Sequence, residues 1–134
     1  MNDGPMITII GAGRSGRGML GEMFYSEGGF RLVFADIDSN LVRGLSKQGY
    51  YTVEQKNLLT GECKKTCVEG FEVVDTVREH RKYMEYLSDS EMIGTALFPS
   101  AFDQVAKDLT EMVRMRKGLK KVRPVAILLG GNFV

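Results

Sequence analysis

The sequence predicts an α/β domain with a doubly wound, mostly parallel β-sheet. Its 134 residues are enough for one domain with a substantial core. Short apolar runs alternate along the chain with segments of helical periodicity. The runs are continuously apolar, as in strands that are buried on both faces of a parallel sheet. A β-rich stretch around residues 50–76 interrupts this alternation, and we expect it to form an antiparallel insertion or edge.

The first half of the chain predicts two strands and two helices. Residues 6–10, "MITII", are apolar and largely β-branched, and residues 30–36 form a second such run that ends in an acid. The helix between them ends at Gly28 and carries apolar residues at helical spacing, namely Met19, Leu20, Met23 and Phe24. The next helix has Ser39 as its expected N-cap and an apolar face formed by Leu41, Val42 and Leu45.

The second half begins with the β-rich stretch, which predicts two or three strands joined by tight turns at "LLTGE" and "EGF". A helix is expected within residues 78–91, a buried strand at 92–98 and a last apolar strand within 124–132. The helix between those two strands has the clearest pattern. Its apolar residues fall on one stripe, made of Phe102, Val105, Ala106, Leu109, Met112 and Val113.

Composition excludes several classes of partner. A net charge of +1 offers no basis for binding nucleic acid or an anionic membrane. No apolar run approaches the roughly 20 residues of a membrane span, and "MNDGPM" is unlike a signal peptide, so a cytoplasmic protein is expected. Cys63, Cys67 and His80 do not form a metal-ligand pattern. We expect two reduced thiols, a surface histidine and no metal.

The densest motif is a glycine-rich turn directly after the first strand. Gly11, Gly13 and Gly16 fit G-x-G-x-x-G, and Asp36 follows twenty residues after Gly16 at the end of the second strand. Gly11 permits the tight turn, Gly13 lets a pyrophosphate approach the backbone, and Gly16 lets the helix pack on the sheet. The phosphates would face the N–H groups of the first helical turn, at Arg14, Ser15 and Gly16. This pattern is typical of a Rossmann-type dinucleotide-binding domain.

Asp36 predicts which dinucleotide is bound. Its carboxylate can accept hydrogen bonds from both hydroxyls of an adenosine ribose, and its charge repels a 2′-phosphate, so NAD is expected rather than NADP. The alternative is a loop acid that caps the next helix, a task for which Asp38 lies nearer. The side chains of Arg14 and Arg17 either contact the phosphates or are solvated helix residues, and the motif leaves this open.

Several segments carry a family resemblance: "GAGRSGRGMLG", "LVFADIDSNLVRGLSKQGYYTV", "EVVDTV", "MIGTALFP" and a closing "GGNFV". Through them, nearly the whole chain is similar to the N-terminal half of the polyol-specific long-chain (mannitol) dehydrogenases. Those enzymes interconvert a sugar alcohol, or its phosphate, with the corresponding keto sugar by exchanging hydride with a nicotinamide. The resemblance implies an oxidoreductase domain whose partner is a small polyol or sugar phosphate.

The resemblance also implies further site residues. Three residues at the end of a central strand are expected to line the cofactor cleft, namely Ala96, Leu97 and Phe98. Asn132 is expected to hold the substrate oxygen as it gains alkoxide character. The family has a cysteine and an acid directly before that asparagine, where this chain has Gly130 and Gly131. This departure bears on the geometry at Asn132 and on the identity of the substrate.

The family's proton-transfer lysine, with its asparagine and histidine partners, lies in a later helical domain. We therefore expect residues 1–134 to be the dinucleotide-binding domain of a longer enzyme, inactive alone because no residue here matches the acid–base role. The apolar strand "VAILLG" would then lie at or near the sheet edge. Self-association through that edge is expected, because unpaired strand edges recruit partners.

Two other functions share parts of the motif. A regulatory nucleotide-sensing module, of the type that gates potassium uptake, also pairs G-x-G-x-x-G with an acid. The β-rich stretch from Tyr50 to Thr76 and the closing "GGNFV" disfavour it. An S-adenosylmethionine methyltransferase uses a glycine loop and a ribose-binding acid as well, and the third glycine, Gly16, disfavours that function.

Overall fold

The domain is built on a parallel sheet with helices on both faces. The computed structural model describes residues 4–120 and 123–131. The strands are β1 (Met6–Ile10), β2 (Arg31–Asp36), β3 (Tyr50–Lys56), β4 (Cys63–Glu69), β5 (Glu72–Asp75), β6 (Met92–Leu97) and β7 (Ala126–Gly131). A π-helical stretch (Gly16–Gly21) leads into α1 (Glu22–Glu27), and a 3₁₀ turn (Pro99–Ala101) leads into α4 (Phe102–Gly118). The other two helices are α2 (Ser39–Gln48) and α3 (His80–Asp89).

The sheet has the strand order β5-β2-β1-β6-β7, and every neighbouring pair is parallel. The chain moves outward from β1 to β2 and β5 on one side, then returns to β6 and β7 on the other. The order therefore reverses between β1 and β6, where the carboxyl ends of the strands border a crevice that binds ligands in sheets of this type. The predicted Rossmann-type doubly wound sheet is confirmed.

The β-rich stretch divides into two parts. Strands β3 and β4 form a separate antiparallel hairpin, in which Tyr51 lies opposite Val68. Strand β5 is the parallel edge of the main sheet, with Asp75 beside Asp36 of β2. The predicted antiparallel insertion is therefore only the hairpin, because β5 finds its partner in a strand that lies far away in sequence.

Two apolar clusters cover the two faces of the sheet. On one face, Ile10 and Ile93 pack with residues of α3 and α4, including Leu87 and Met112. On the other, Ile9 and Phe34 pack with the helix after the glycine turn and with the hairpin, through Leu20, Phe24, Tyr51 and Val68. Adjacent core residues of β1 and β2 enter opposite clusters, which explains why the central strands of the parallel sheet are almost continuously apolar.

Helix α2 begins at a different cap from the one predicted. The Asp38 side chain accepts hydrogen bonds from the backbone N–H groups of Asn40 and Leu41, at 3.0 and 3.1 Å, and is the N-cap. Ser39 is instead the first helical residue, and its hydroxyl donates to the Asp75 carboxylate at 2.6 Å. That bond, with the backbone N–H of Arg78, lowers the pKa of Asp75 below its usual value. The Ser39 prediction was wrong because Asp38 occupies the cap position and Ser39, the next residue, bonds Asp75 on β5.

Helix α4 buries a narrower stripe than predicted. Val105 and Met112 are buried, whereas Val113 is 53% exposed. The buried line passes through Val105, Asp108 and Met112, at spacings of three and four, so Val113 lies one residue past it. Ala106 and Leu109 border a cavity of about 290 Å³ between α4 and β7.

Strand β7 is the sheet edge within the described residues, as predicted, and pairs only with β6. Its Leu129 side chain is 78% exposed. Self-association through this edge stays a prediction.

The hairpin braces the helix that follows the glycine turn. Tyr51 is 5% exposed, and its hydroxyl donates to the carbonyl oxygen of Arg17, at 2.8 Å, in the π-helical stretch. A Cβ atom on Gly21 would overlap the Tyr51 hydroxyl and come within 2.7 Å of Phe34 Cζ. Gly21 is therefore required by the contact between this helix, the hairpin and the sheet.

We predict that Gly21→Ala lowers the free energy of unfolding by about 1–3 kcal/mol, because the added methyl group overpacks a closed contact. Gly44→Ala is the matched control, since Gly44 lies in α2 and a Cβ there meets nothing within 4 Å. It should stabilise the chain by about 0.5–1 kcal/mol through helix propensity. Urea unfolding of both variants measures the difference, and a neutral Gly21→Ala would contradict the contact.

Candidate functional site

The glycine turn leaves β1 at the carboxyl edge of the sheet. Gly11 has a φ of +103°, which favours glycine, and a Cβ atom there would overlap the carbonyl oxygen of Ala96 at the end of β6. A Cβ atom on Gly16 would overlap the carbonyl oxygen of Gly11 and lie 3.0 Å from its carbon. Turn, helix and β6 therefore meet backbone to backbone, as the motif predicts.

Gly13 differs from its two neighbours in the motif. It is exposed, and a Cβ atom there meets no atom of the chain within 4 Å. Arg17 N donates to the Gly13 carbonyl at 3.0 Å, so the N–H groups of residues 14–16 belong to the first helical turn. Amides of a first turn have no acceptor within their own helix, and they form an anion-binding edge. Open space therefore lies where the motif predicts a phosphate.

Asp36 is fastened to the same turn. One carboxylate oxygen accepts the Ala12 N–H at 2.7 Å, and the other accepts the Asp38 N–H at 2.9 Å. The Gly11 N–H also donates to the carbonyl of Ala35 at 2.8 Å, which ties the turn to the end of β2. A carboxylate has about four acceptor positions, so Asp36 keeps capacity for two further donors. Asp38, not Asp36, caps α2.

Two cavities flank this turn. The first, here called the glycine-turn pocket, has about 390 Å³ and is lined by Gly13, Arg14, Ser15, Met19, Ala96, Leu97 and Phe98. It brings together the two sets of cofactor residues that the sequence predicted separately. The second, the Asp36 pocket, has about 280 Å³ and contains Asp36, Ile37, Ser100, Gln104 and Asp108 in its lining. Leu97 borders both pockets.

A family model described as the mannitol dehydrogenase Rossmann domain matches residues 5–134. The chain belongs to this family. Mannitol-1-phosphate 5-dehydrogenase of Enterococcus faecalis is 24% identical over 125 residues, which cover 93% of this chain and 32% of that protein. The enzymes of the same name from Lactiplantibacillus plantarum and Geobacillus stearothermophilus are 26% and 29% identical over 126 residues, or 93% of this chain and 31% of each protein. The chain thus spans about a third of the length of the curated relatives that it matches.

Membership of the mannitol dehydrogenase Rossmann domains confirms the resemblance in the sequence and implies a nucleotide cofactor. The structure places nine of the predicted site residues at the two pockets or the turn between them, and the tenth, Asn132, lies outside the described residues. Arg17 is not among the described residues that line the glycine-turn pocket. Its Nε donates to the Gly13 carbonyl at 3.4 Å, and its guanidinium carbon lies 5.8 Å from the centre of the Tyr51 ring.

Sequence reasoning missed the polar wall of the Asp36 pocket in this Rossmann domain. Asp108 is 6% exposed and accepts the Tyr83 hydroxyl and the Gln104 side-chain N–H group, each at 3.0 Å. Burial, and then the charge of Asp108, raises the pKa of Tyr83, so its hydroxyl keeps its proton. The available signal was the spacing that puts Asp108 between Val105 and Met112, on the buried line of α4.

Neither a group of metal-ligating side chains nor a membrane-spanning helix is found among the residues that the structure describes. Within residues 4–120 and 123–131, no three side chains of His, Cys, Asp or Glu cluster as a metal site would require. Cys63 and Cys67 are free thiols exposed on β4. No helix in those residues has the length and apolar character to cross a bilayer.

His80, predicted to lie at the surface, is partly exposed and has a hydrogen-bond acceptor at each ring nitrogen. Its side chain is 41% exposed, and both ring nitrogens face acceptors: Nδ1 lies 2.9 Å from the Thr76 carbonyl and Nε2 lies 2.9 Å from the Glu111 carboxylate. Both nitrogens can donate only when the imidazole is protonated. The Thr76 carbonyl, and then Glu111, raise the pKa of His80 above 6.5 despite partial burial.

We predict that Glu111→Gln lowers the pKa of His80. The pKa should stay above its usual value, because the bond to the Thr76 carbonyl remains. Because the folded-state pKa exceeds the unfolded value of about 6.5, protonated His80 stabilises the fold at lower pH. That contribution is lost as pH rises through the folded pKa. NMR titration of the imidazole measures the shift. Glu85→Gln, which removes only an exposed partner of Arg81, should leave the titration unchanged.

Proposed function

We propose that this chain is the NAD-binding domain of a cytoplasmic dehydrogenase that interconverts a sugar alcohol, or its phosphate, with the corresponding keto sugar. One observation carries the proposal. The turn that leaves open space at Gly13 is hydrogen-bonded, through the Ala12 N–H, to the carboxylate of Asp36. A dinucleotide needs both an anion-binding edge for its pyrophosphate and an acceptor for its ribose. Family membership favours the dehydrogenase over a nucleotide sensor or a methyltransferase.

Different residues of the site would bind different parts of the cofactor. N–H groups at Arg14, Ser15 and Gly16 would bind the pyrophosphate, with no side chain at Gly13 to obstruct it. Asp36 would accept from both ribose hydroxyls, and its charge would disfavour the 2′-phosphate of NADP. Ala96, Leu97 and Phe98 would line the path toward the nicotinamide. Bound NAD would supply the hydride acceptor.

The relatives named mannitol-1-phosphate 5-dehydrogenase suggest the substrate pair. Mannitol 1-phosphate and fructose 6-phosphate are the alcohol and ketone that we propose. Asn132 directly follows β7 in the sequence and would donate to the substrate oxygen as it becomes negative. The acid–base group would come from the part of the enzyme that corresponds to the other two thirds of its relatives.

Gly13→Ala tests the phosphate position. We predict a rise of about 10- to 100-fold in the Kd for NAD, because the methyl group would displace charge-assisted bonds of about 1.5–3 kcal/mol. The free energy of unfolding should change by less than about 0.5 kcal/mol, since no atom of the chain lies near the new methyl group.

Gly18→Ala is the control for this test, because a Cβ there also meets nothing within 4 Å. Calorimetry should show an unchanged Kd for Gly18→Ala. Equal affinity for NAD in wild type and Gly13→Ala would refute the proposed phosphate site.

Asp36→Ala tests the choice of cofactor. We predict NAD affinity at least about tenfold weaker and a smaller preference for NAD over NADP, because the charged acceptor and the repulsion both disappear. Asp38→Ala is the matched control, since it removes a neighbouring carboxylate that caps α2. It should cost about 1 kcal/mol of stability and leave the NAD-to-NADP ratio unchanged. A ratio unaffected by Asp36→Ala would exclude Asp36 from the site.

A further inference from the structure

The Asp36 pocket contains a polar pair, Gln104 and Asp108, that binding of the ribose does not use. Asp36 and Ile37 line its side nearest β2. The side nearest β6 is lined by Ser100 and Ala101 of the 3₁₀ turn and by Gln104 at the beginning of α4. A ribose held by Asp36 would direct its attached base into this same cavity. The cavity's other lining is largely apolar, which suits the faces of a planar base. The chemistry of Gln104 and Asp108 therefore bears on which base fits.

The Asp108 carboxylate fixes how Gln104 is oriented. A carboxylate can only accept hydrogen bonds, so the Gln104 side chain must present its NH₂ group to Asp108, as the 3.0 Å bond shows. Tyr83 holds the second oxygen of Asp108 from α3, likewise at 3.0 Å. The amide of Gln104 consequently cannot rotate by half a turn without losing its partner. Its carbonyl oxygen, Oε1, is left as an acceptor at the wall of the pocket.

We infer that Gln104, oriented by Asp108, selects a purine that carries an amino group at position 6, so that this domain takes adenine dinucleotides and rejects their 6-oxo analogues. The inference rests on the proposed function. Adenine offers an N6 donor, whereas hypoxanthine and guanine offer a carbonyl acceptor at the same position. An oxygen there would face Gln104 Oε1 without a proton between them. Once the bound base excludes water from the pocket, these two oxygens would both lack a donor, and that penalty is what makes such sites discriminate.

The test compares two ligands that differ only at position 6 of the base. The Kd of the 134-residue chain is measured by calorimetry for NAD and for nicotinamide hypoxanthine dinucleotide. We expect the hypoxanthine analogue to bind at least about tenfold more weakly to wild type. Gln104→Leu should remove the difference by weakening NAD binding to the level of the analogue.

Asp108→Asn gives a result that a merely structural role would not produce. The new amide can donate to Gln104 Oε1, which allows the Gln104 side chain to turn its NH₂ group toward the base. The preference should then shrink or reverse in favour of the hypoxanthine analogue. Glu111→Gln is the control, because Glu111 lies one turn along α4 and pairs with His80. Its ratio of the two Kd values should equal that of wild type.

The outcomes separate the inference from the proposed function. Equal Kd values for the two dinucleotides in wild type overturn base selection by Gln104, while measurable NAD binding that is sensitive to Gly13→Ala leaves the proposed function standing. A preference that survives Gln104→Leu also overturns the inference. Failure of both dinucleotides to bind overturns the proposed function, and the inference with it. The comparison of ligands on wild type needs no variant to fold.

Discussion

The candidate site depends on one constraint, the direct packing of backbone against backbone at the glycine turn. The carbonyl oxygen of Gly11 occupies the place of a side chain on Gly16, and the carbonyl of Ala96 occupies the place of one on Gly11. Three elements are thereby joined with no side chain between them. The beginning of the helix is held over the end of β1, and its first N–H groups face the crevice between β1 and β6. A larger residue at either glycine would separate these elements and move that edge.

Two parts of the fold hold the glycine turn and the helix that follows it, namely the end of β2 and the β3–β4 hairpin. On the β2 side, Asp36 and Ala35 bond the backbone of Ala12 and Gly11. On the other face, the β3–β4 hairpin reaches the helix through the Tyr51 hydroxyl. The same carboxylate that would bind a ribose therefore positions the turn that would bind a phosphate. Because hydrogen bonds join the two parts, the distance between the two subsites is set by the fold rather than by the ligand.

Local patterns predicted the strands, the glycine turn and the position of Asp36 at the end of β2, because each of these depends on neighbours in sequence. The errors arose where a partner that is distant in sequence determines the role of a residue or the pairing of a strand. Ser39 and Asp38 are both residue types that cap helices, and the Ser39 hydroxyl instead donates to Asp75 on β5. Strand β5 resembles its hairpin neighbours in composition, and its pairing with β2 is set by the whole sheet. Asp108 is unremarkable in sequence until Tyr83 and Gln104 are placed beside it.

Burial alone does not make Asp108 a functional group, and Glu22 shows why. Glu22 is 7% exposed and is also held by neutral donors, from Ser26 at 2.7 Å and Gln55 at 3.3 Å. It joins α1 to the hairpin, so a structural role explains it. Asp108 instead stands on an otherwise apolar line of α4, where a leucine would avoid the desolvation cost of a buried carboxylate. The Asp108 carboxylate orients the Gln104 amide at the wall of the Asp36 pocket. An apolar side chain at position 108 could pack there but could not orient that amide.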